Sequence, residues 1–231
     1  MCANFQPVGE LQQLRSLFGV NLPSLTVRPE AYPMHEVPLI RGIIVKSNEL
    51  VPGRECVAAR FGLLPRWAKA DTINQRRNTH NARIETIDKL ASFKGAWRER
   101  RYCLIPVNSY YEQCYESGKA VRWRISLVGG LPFALAGIHE TWTDGQKVIE
   151  SFAMITINAD GHPLIGRMFA PGEEKRMPVI IRPADYDKWL RATPEEARAL
   201  CTPYPAGQME GAPSPRPPRG VAPPVDFSDE G

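Results

Sequence analysis

The chain has 231 residues, of which 43% are hydrophobic, enough to bury a core in one large domain or two small ones. Its net charge of +4 is compatible with a nucleic-acid partner without requiring one. Its five scattered cysteines, Cys2, Cys56, Cys103, Cys114 and Cys201, form no CxxC pair and no zinc spacing, which excludes a disulfide framework and a structural metal finger. The opening residues lack the basic and apolar blocks of a secretory signal, and no apolar run is long enough for a bilayer. The expectation is a cytoplasmic protein, nucleoid-associated if bacterial, with no membrane partner.

In chain order, residues 9 to 19, GELQQLRSLFG, place Leu11, Leu14, Leu17 and Phe18 at helical spacing, with Gly19 as the stop. VPLIRGIIV (37–45), CVAARFGLL (56–64) and YCLIPVNSYYE (102–112) predict strands. VRWRISLV (121–128) alternates, with Val121, Trp123, Ile125 and Leu127 on one face. PFALAGIHETW and SFAMITINA predict two further strands. GHPLIGRMF predicts a short helix with Pro163 near its first turn, and KRMPVIIR a last strand. Residues 183 to 200 predict one or two helices, broken near Thr193-Pro194. From Pro203 onward Pro, Gly, Ser and charge replace aliphatic residues, as in GAPSPRPPRGVAPP, so residues 204–231 are expected to be a disordered tail.

Strands outnumber helices and follow one another closely. The expected fold is α+β: a single domain, residues 1–203, built on a mostly antiparallel, barrel-like sheet with flanking helices.

Cys2 follows the initiator methionine, which is commonly removed before so small a residue. Removal leaves a thiol and a primary amine on adjacent carbons. The α-amine has a reference pKa of about 7.7–8.0, so part of it is neutral near pH 7 and able to attack an aldehyde. The thiol can then close on the imine carbon to form a five-membered thiazolidine. The plainer alternative is a chance cysteine in a frayed terminus.

The opening MCANF, FGLLPRW (61–67), THNARIET (79–86), IPVNSYYE (105–112) and ITINADGHPL with PGEEKRMPVII (155–181) occur in that order. Together they resemble the SOS-response-associated peptidase (SRAP) family, whose members shield abasic sites in single-stranded DNA. The resemblance implies a covalent protein–DNA link at Cys2 with no metal and no cofactor. It also implies that Asn81 holds the terminus and the sugar, and that Glu112 acts as the site's carboxylate. Without that resemblance, Asn81 reads first as an Asx-turn residue and Glu112 as a surface charge at a strand end. By the same resemblance Arg83 grips phosphate, Trp67 stacks on bases, and Arg176 is a further phosphate candidate. Arg83 could instead pair with Glu85, and Trp67 could be a core tryptophan. The expected partner is single-stranded DNA carrying abasic sites, bound by a monomer.

The sequence departs from the family pattern at three places. Relatives usually carry a proton-transferring histidine two residues before the proline of PGxEKRMP, where this chain has Phe169. His162 lies seven positions earlier, which in a continuous helix is about 10 Å along the axis, too far for a direct substitute. His80 neighbours Asn81 but would point to the other face of a strand. Asn4 stands where relatives often have a DNA-contacting arginine and is expected to meet DNA in its place, and AYPMHEVP occupies a segment that usually differs.

Three readings follow. The first is a covalent abasic-site protein, with an associated peptidase activity in which Cys2 and Glu112 release whatever precedes the cysteine. The second is a non-covalent single-strand binder with a degraded pocket. The third is an interaction module acting through its Pro-rich tail. Truncation after Pro203 is expected to leave DNA chemistry intact under the first two.

Overall fold

A computed structural model describes residues 3–44, 50–75 and 78–216. Cys2 and residues 217–231 of the expected tail lie outside the described residues.

The strands are β1 (Phe5–Pro7), β2 (Glu36–Ile44), β3 (Leu50–Phe61), β4 (Asn81–Arg83), β5 (Tyr102–Cys114), β6 (Val121–Leu127), β7 (Phe133–Thr143), β8 (Val148–Asn158), β9 (Arg176–Pro178), β10 (Ile180–Ile181) and β11 (Met209–Pro213). The helices are α1 (Leu11–Phe18), α2 (Lys94–Arg98), α3 (Tyr186–Arg191) and α4 (Pro194–Leu200). Pairings β7–β8–β3–β2–β5 close on themselves through β5–β7, giving a five-stranded barrel. All described pairings are antiparallel except β3–β8 and β4–β8. The expected α+β barrel-like domain is the fold observed.

Continuous apolar runs in β5, β7 and β8 are what strands buried on both faces require. Phe61, fully buried at the end of β3, is stacked on Phe152 with ring centroids 5.3 Å apart and met edge-on by Phe5 at 5.1 Å. Gly137 is needed where β5, β7 and β8 press together: a Cβ there would come within 2.9 Å of both the Ala153 carbonyl and the Cys103 sulfur.

β5 organises the functional region. Its first half, Tyr102–Val107, pairs with β7 in the barrel wall, and its second half, through Cys114, leaves the barrel to pair with β6. β1 lies along it from Val107 to Tyr110.

The helices pack by simple rules. Gly19 ends α1 in the left-handed conformation at φ 69°, as expected, while Leu14 and Phe18 face inward and Leu11 and Leu17 remain exposed. The break at Thr193-Pro194 is also as expected. Thr193 Oγ1 accepts from the Glu196 N–H, the Glu196 carboxylate accepts from the Thr193 N–H, and Pro194 opens α4. In α3, the Trp189 indole donates to the Cys103 carbonyl at 2.9 Å, fastening the helix to β5.

Three expectations are corrected. GHPLIGRMF forms only a 3-10 turn at Ile165–Arg167 rather than a helix with Pro163 in its first turn. The last predicted strand is split at Val179, so β9 pairs with β8 and β10 with β7. Part of the expected tail is ordered: residues 206–208 form a 3-10 turn and β11 adds to the edge of β6. Backbone hydrogen bonds recruit β11 despite its composition, and Gly211 permits the close approach. A Cβ there would meet Trp123, Ile125 and Leu164 at 3.1–3.2 Å. Among the described residues no helix is long and apolar enough to cross a membrane.

Candidate functional site at the free end of β5

Glu112 sits near the end of β5, opposite Trp123 of β6 and two residues beyond the fully buried Tyr110. Alternation therefore continues the core face outward to Glu112, which is 6% exposed and not a surface charge. Burial raises its carboxyl pKa to about 7. Phe5 pairs with Tyr110, and the Tyr111 N–H donates to the Asn4 carbonyl at 3.0 Å. Carrying that antiparallel register two residues further sets Ala3 across from Glu112.

Asn81 opens β4 opposite Met154 and is buried, so it belongs to a strand and not to an Asx turn. Its neighbour His80 meets Phe61 edge-on at 5.7 Å, and Phe61 touches Phe5. The β4 and β1 segments are thus joined through one aromatic ring.

Phe169 lies beside the same stretch of β5. Its N–H donates to the Gln113 carbonyl at 2.7 Å, and Met168 bridges to Cys114. Its ring is buried, and its backbone occupies the left-handed region at φ 69°, an uncommon conformation for a bulky residue. The Lys175 ammonium donates to the Phe169 and Ala170 carbonyls at 3.3 and 2.9 Å, pinning this loop.

The other histidines are engaged elsewhere. His162 Nδ1 accepts from the Ile165 N–H at 3.0 Å while Nε2 faces the Tyr204 carbonyl at 2.9 Å, so the ring anchors a turn. His35 Nδ1 faces the Tyr32 N–H. His139 is buried in β7, and its pKa is pushed down to about 3 by burial and by Arg41 and Arg66, which keeps it neutral.

The sequence-predicted DNA contacts divide in two. Trp67 is 60% exposed, so it is no core tryptophan; its indole N–H points to the Ala91 carbonyl at 3.4 Å. Arg83 is about half exposed and pairs with Glu174 at 2.8 Å, not with Glu85. Arg176, expected to face phosphate, is instead 2% exposed. It is held by Glu85 at 3.0 Å, Glu174 at 2.7 Å and the Thr156 carbonyl at 2.8 Å. These partners hold it as a buried, paired cation. Asn4, also expected to meet DNA, is buried, with its amide donating to the Ala31 carbonyl at 3.1 Å and its Oδ1 accepting from Arg122 at 2.7 Å. Sequence reasoning missed Arg122 and Glu30. The only signal was the alternation of β6, which puts Arg122 on the face opposite Trp123, but the β5–β6 register that makes it useful is not readable locally.

The sequence model of the SOS response associated peptidase (SRAP) family matches residues 1–215. No curated protein matches the chain by sequence. Among solved structures, a protein from Bordetella bronchiseptica is 32% identical with a TM-score of 0.83, covering 92% of this chain and 99% of its own. A protein from Bacteroides thetaiotaomicron, 20% identical, shares the fold with a TM-score of 0.73 over 91% of this chain and 90% of its own. A phage-related protein from Bordetella bronchiseptica, 18% identical, does so at 0.64 over 93% and 95%. The chain belongs to the SOS response associated peptidase family.

Proposed function

We propose that this protein captures abasic sites in single-stranded DNA as a thiazolidine on an N-terminal Cys2, with Glu112 moving the protons. One observation carries the reading: a buried carboxyl with a pKa pushed up to about 7 stands on β5 beside the strand that begins at Phe5, two residues past its Tyr110 partner. At neutral pH Glu112 populates both its acid and its base form, as a group that must take and return a proton requires.

The steps balance without a cofactor. The Cys2 amine adds to the aldehyde carbon of the ring-opened sugar, forming a C–N bond as the carbonyl electron pair moves to oxygen. Glu112 carries two protons in turn from nitrogen to that oxygen, the first making it a hydroxyl and the second making it water; the C–O bond breaks as the nitrogen lone pair forms the C=N bond, so one water leaves and an imine remains. The thiol sulfur adds to the imine carbon, and its proton goes to nitrogen. Asn81 would orient the terminus and the sugar.

Trp67 offers an exposed ring for base stacking, which tolerates any base. The Arg83–Glu174 pair is exposed enough to be worth at most about 1 kcal/mol, so a phosphate can replace the carboxylate. The peptidase reading uses the same Cys2 and Glu112 and predicts that the residue ahead of Cys2 is removed without an aminopeptidase.

The test is a denaturing gel of Met1-free protein with a single-stranded oligonucleotide bearing one abasic site, run beside Cys2→Ala. A band that survives denaturation and disappears in the variant is expected; its absence from intact protein overturns covalent capture. Phe169 favours a second reading, non-covalent single-strand binding, because phenylalanine cannot transfer the proton that the family's histidine does. That reading predicts salt-sensitive binding with no covalent band. If capture persists, Phe169→His should speed formation and, more strongly, reversal, up to the roughly 10²–10⁴-fold of a placed acid–base group. Equal rates would show that Phe169 is not a catalytic lesion.

A further inference from the structure

We infer that Arg122 is a positioning residue that fixes the backbone at Asn4, and with it the direction of the chain start relative to Glu112, and that Ser214, the residue following the C-terminal strand β11, holds Arg122 in place. The inference rests on the proposed capture chemistry and identifies what directs it.

β1 has only three residues, and its register with β5 slips between Gln6 and Pro7. So short a strand has little hold of its own on the position of its end. Phe5 faces inward with Tyr110, so Asn4 points to the other side of the sheet, the side of Tyr111 and Gln113. Arg122 stands opposite Gln113 and reaches diagonally, placing its guanidinium 3.5 Å from the centre of the Tyr111 ring.

From there a single guanidinium nitrogen donates to Asn4 Oδ1 at 2.7 Å and to Glu30 at 2.6 Å. Glu30 also accepts from the Tyr32 hydroxyl at 2.5 Å and from the Asn4 amide at 3.3 Å. Burial would raise the Glu30 pKa, but the Tyr32 hydroxyl and Arg122 outweigh it and hold the carboxyl below its usual range. The cluster therefore stays charged and locked at neutral pH, behind the strand whose front face carries the chemistry.

Arg122 is in turn gripped from the far end of the chain. The Ser214 N–H donates to the Arg122 carbonyl at 2.8 Å, and the Arg122 guanidinium donates back to the Ser214 carbonyl at 3.1 Å. With its side chain only 9% exposed, Arg122 is no phosphate contact. It supports the backbone at Asn4. Its planar fork serves two acceptors and the Tyr111 ring together, which a lysine cannot do.

The experiment compares intact protein with Arg122→Gln and Arg122→Lys in single-turnover crosslinking across pH, in binding to undamaged single-stranded oligonucleotide, and in amide hydrogen exchange at Tyr111. Arg122→Gln should crosslink about 10- to 100-fold more slowly, because a misplacement near 1 Å is enough to cost that much. It should lose the limb near pH 7 that Glu112 gives the rate profile while leaving binding of undamaged DNA unchanged. Arg122→Lys should recover part of the rate. The Tyr111 amide, bonded to the Asn4 carbonyl, should exchange faster in both variants. Unchanged crosslinking rates and pH profiles overturn the inference. If intact protein forms no crosslink at all, the capture reading fails separately. The exchange result then decides the clamp, with unchanged Tyr111 protection overturning it and faster exchange supporting it.

Discussion

At the scale of single residues, burial sets the chemistry of Glu112. Its folded pKa, near 7, lies above the unfolded value of 4.5, so the group is neutral in both states at low pH and costs nothing there. Between pH 4.5 and 7 the unfolded chain binds fewer protons than the folded one, and stability falls as pH rises. Glu112→Gln removes that penalty. In urea unfolding, the variant should gain on the parent between pH 5 and pH 8 by an amount on the order of 3 kcal/mol. Parallel stability curves would show that Glu112 is solvated. Cys2, Asn81 and Glu112 were legible as candidates through the motifs around them. The burial of Glu112 was not, because it depends on β1 and β6 closing over β5. The burial of Arg176 was not legible either, because its partner Glu85 lies 91 positions away.

At the scale of elements, close strand approach governs what a position tolerates. Gly137 has no room for a side chain between the Ala153 carbonyl and Cys103. Gly137→Val should destabilise the protein by about 1–3 kcal/mol through overpacking, seen as a lower denaturation midpoint with an unchanged slope. A neutral outcome would mean that β5 and β8 can move apart freely. The long strands and α1 were legible because their apolar periodicity runs for several turns or pleats. β1, β4 and β11 span three to five residues and carry no period of their own. Each forms only because a longer neighbour offers it hydrogen bonds. Composition pointed β11 toward disorder because a Gly- and Pro-containing segment lacks side chains to bury, yet an edge strand needs only backbone and close contact.

At the scale of the whole molecule, the barrel keeps His139 neutral in its wall. Its folded pKa of about 3 lies below the unfolded 6.5. The stability it preserves is complete above pH 6.5 and is lost as pH falls toward 3, where unfolding lets the ring take up a proton. That loss amounts to about 4 kcal/mol near pH 3.5. His139→Leu should therefore flatten the acid limb of the stability profile, and an equally steep acid transition in the variant would place the lability elsewhere. The parallel join of β3 to β8 that closes this barrel, through Phe61↔Phe152, was not foreseeable from sequence, because pairing direction depends on chain path and not on local pattern.

β11 has a meaning beyond the clamp. It is the terminal strand on its side of the sheet, short and ended by Pro213, which offers little to a passing chain. Remove it, as a cut after Pro203 would, and β6 presents a row of open backbone donors and acceptors beside Trp123 and Ile125. Such an edge invites pairing with a second molecule. The trimmed protein should therefore tend toward self-association and precipitation, so the segment that looks most dispensable by composition also guards solubility.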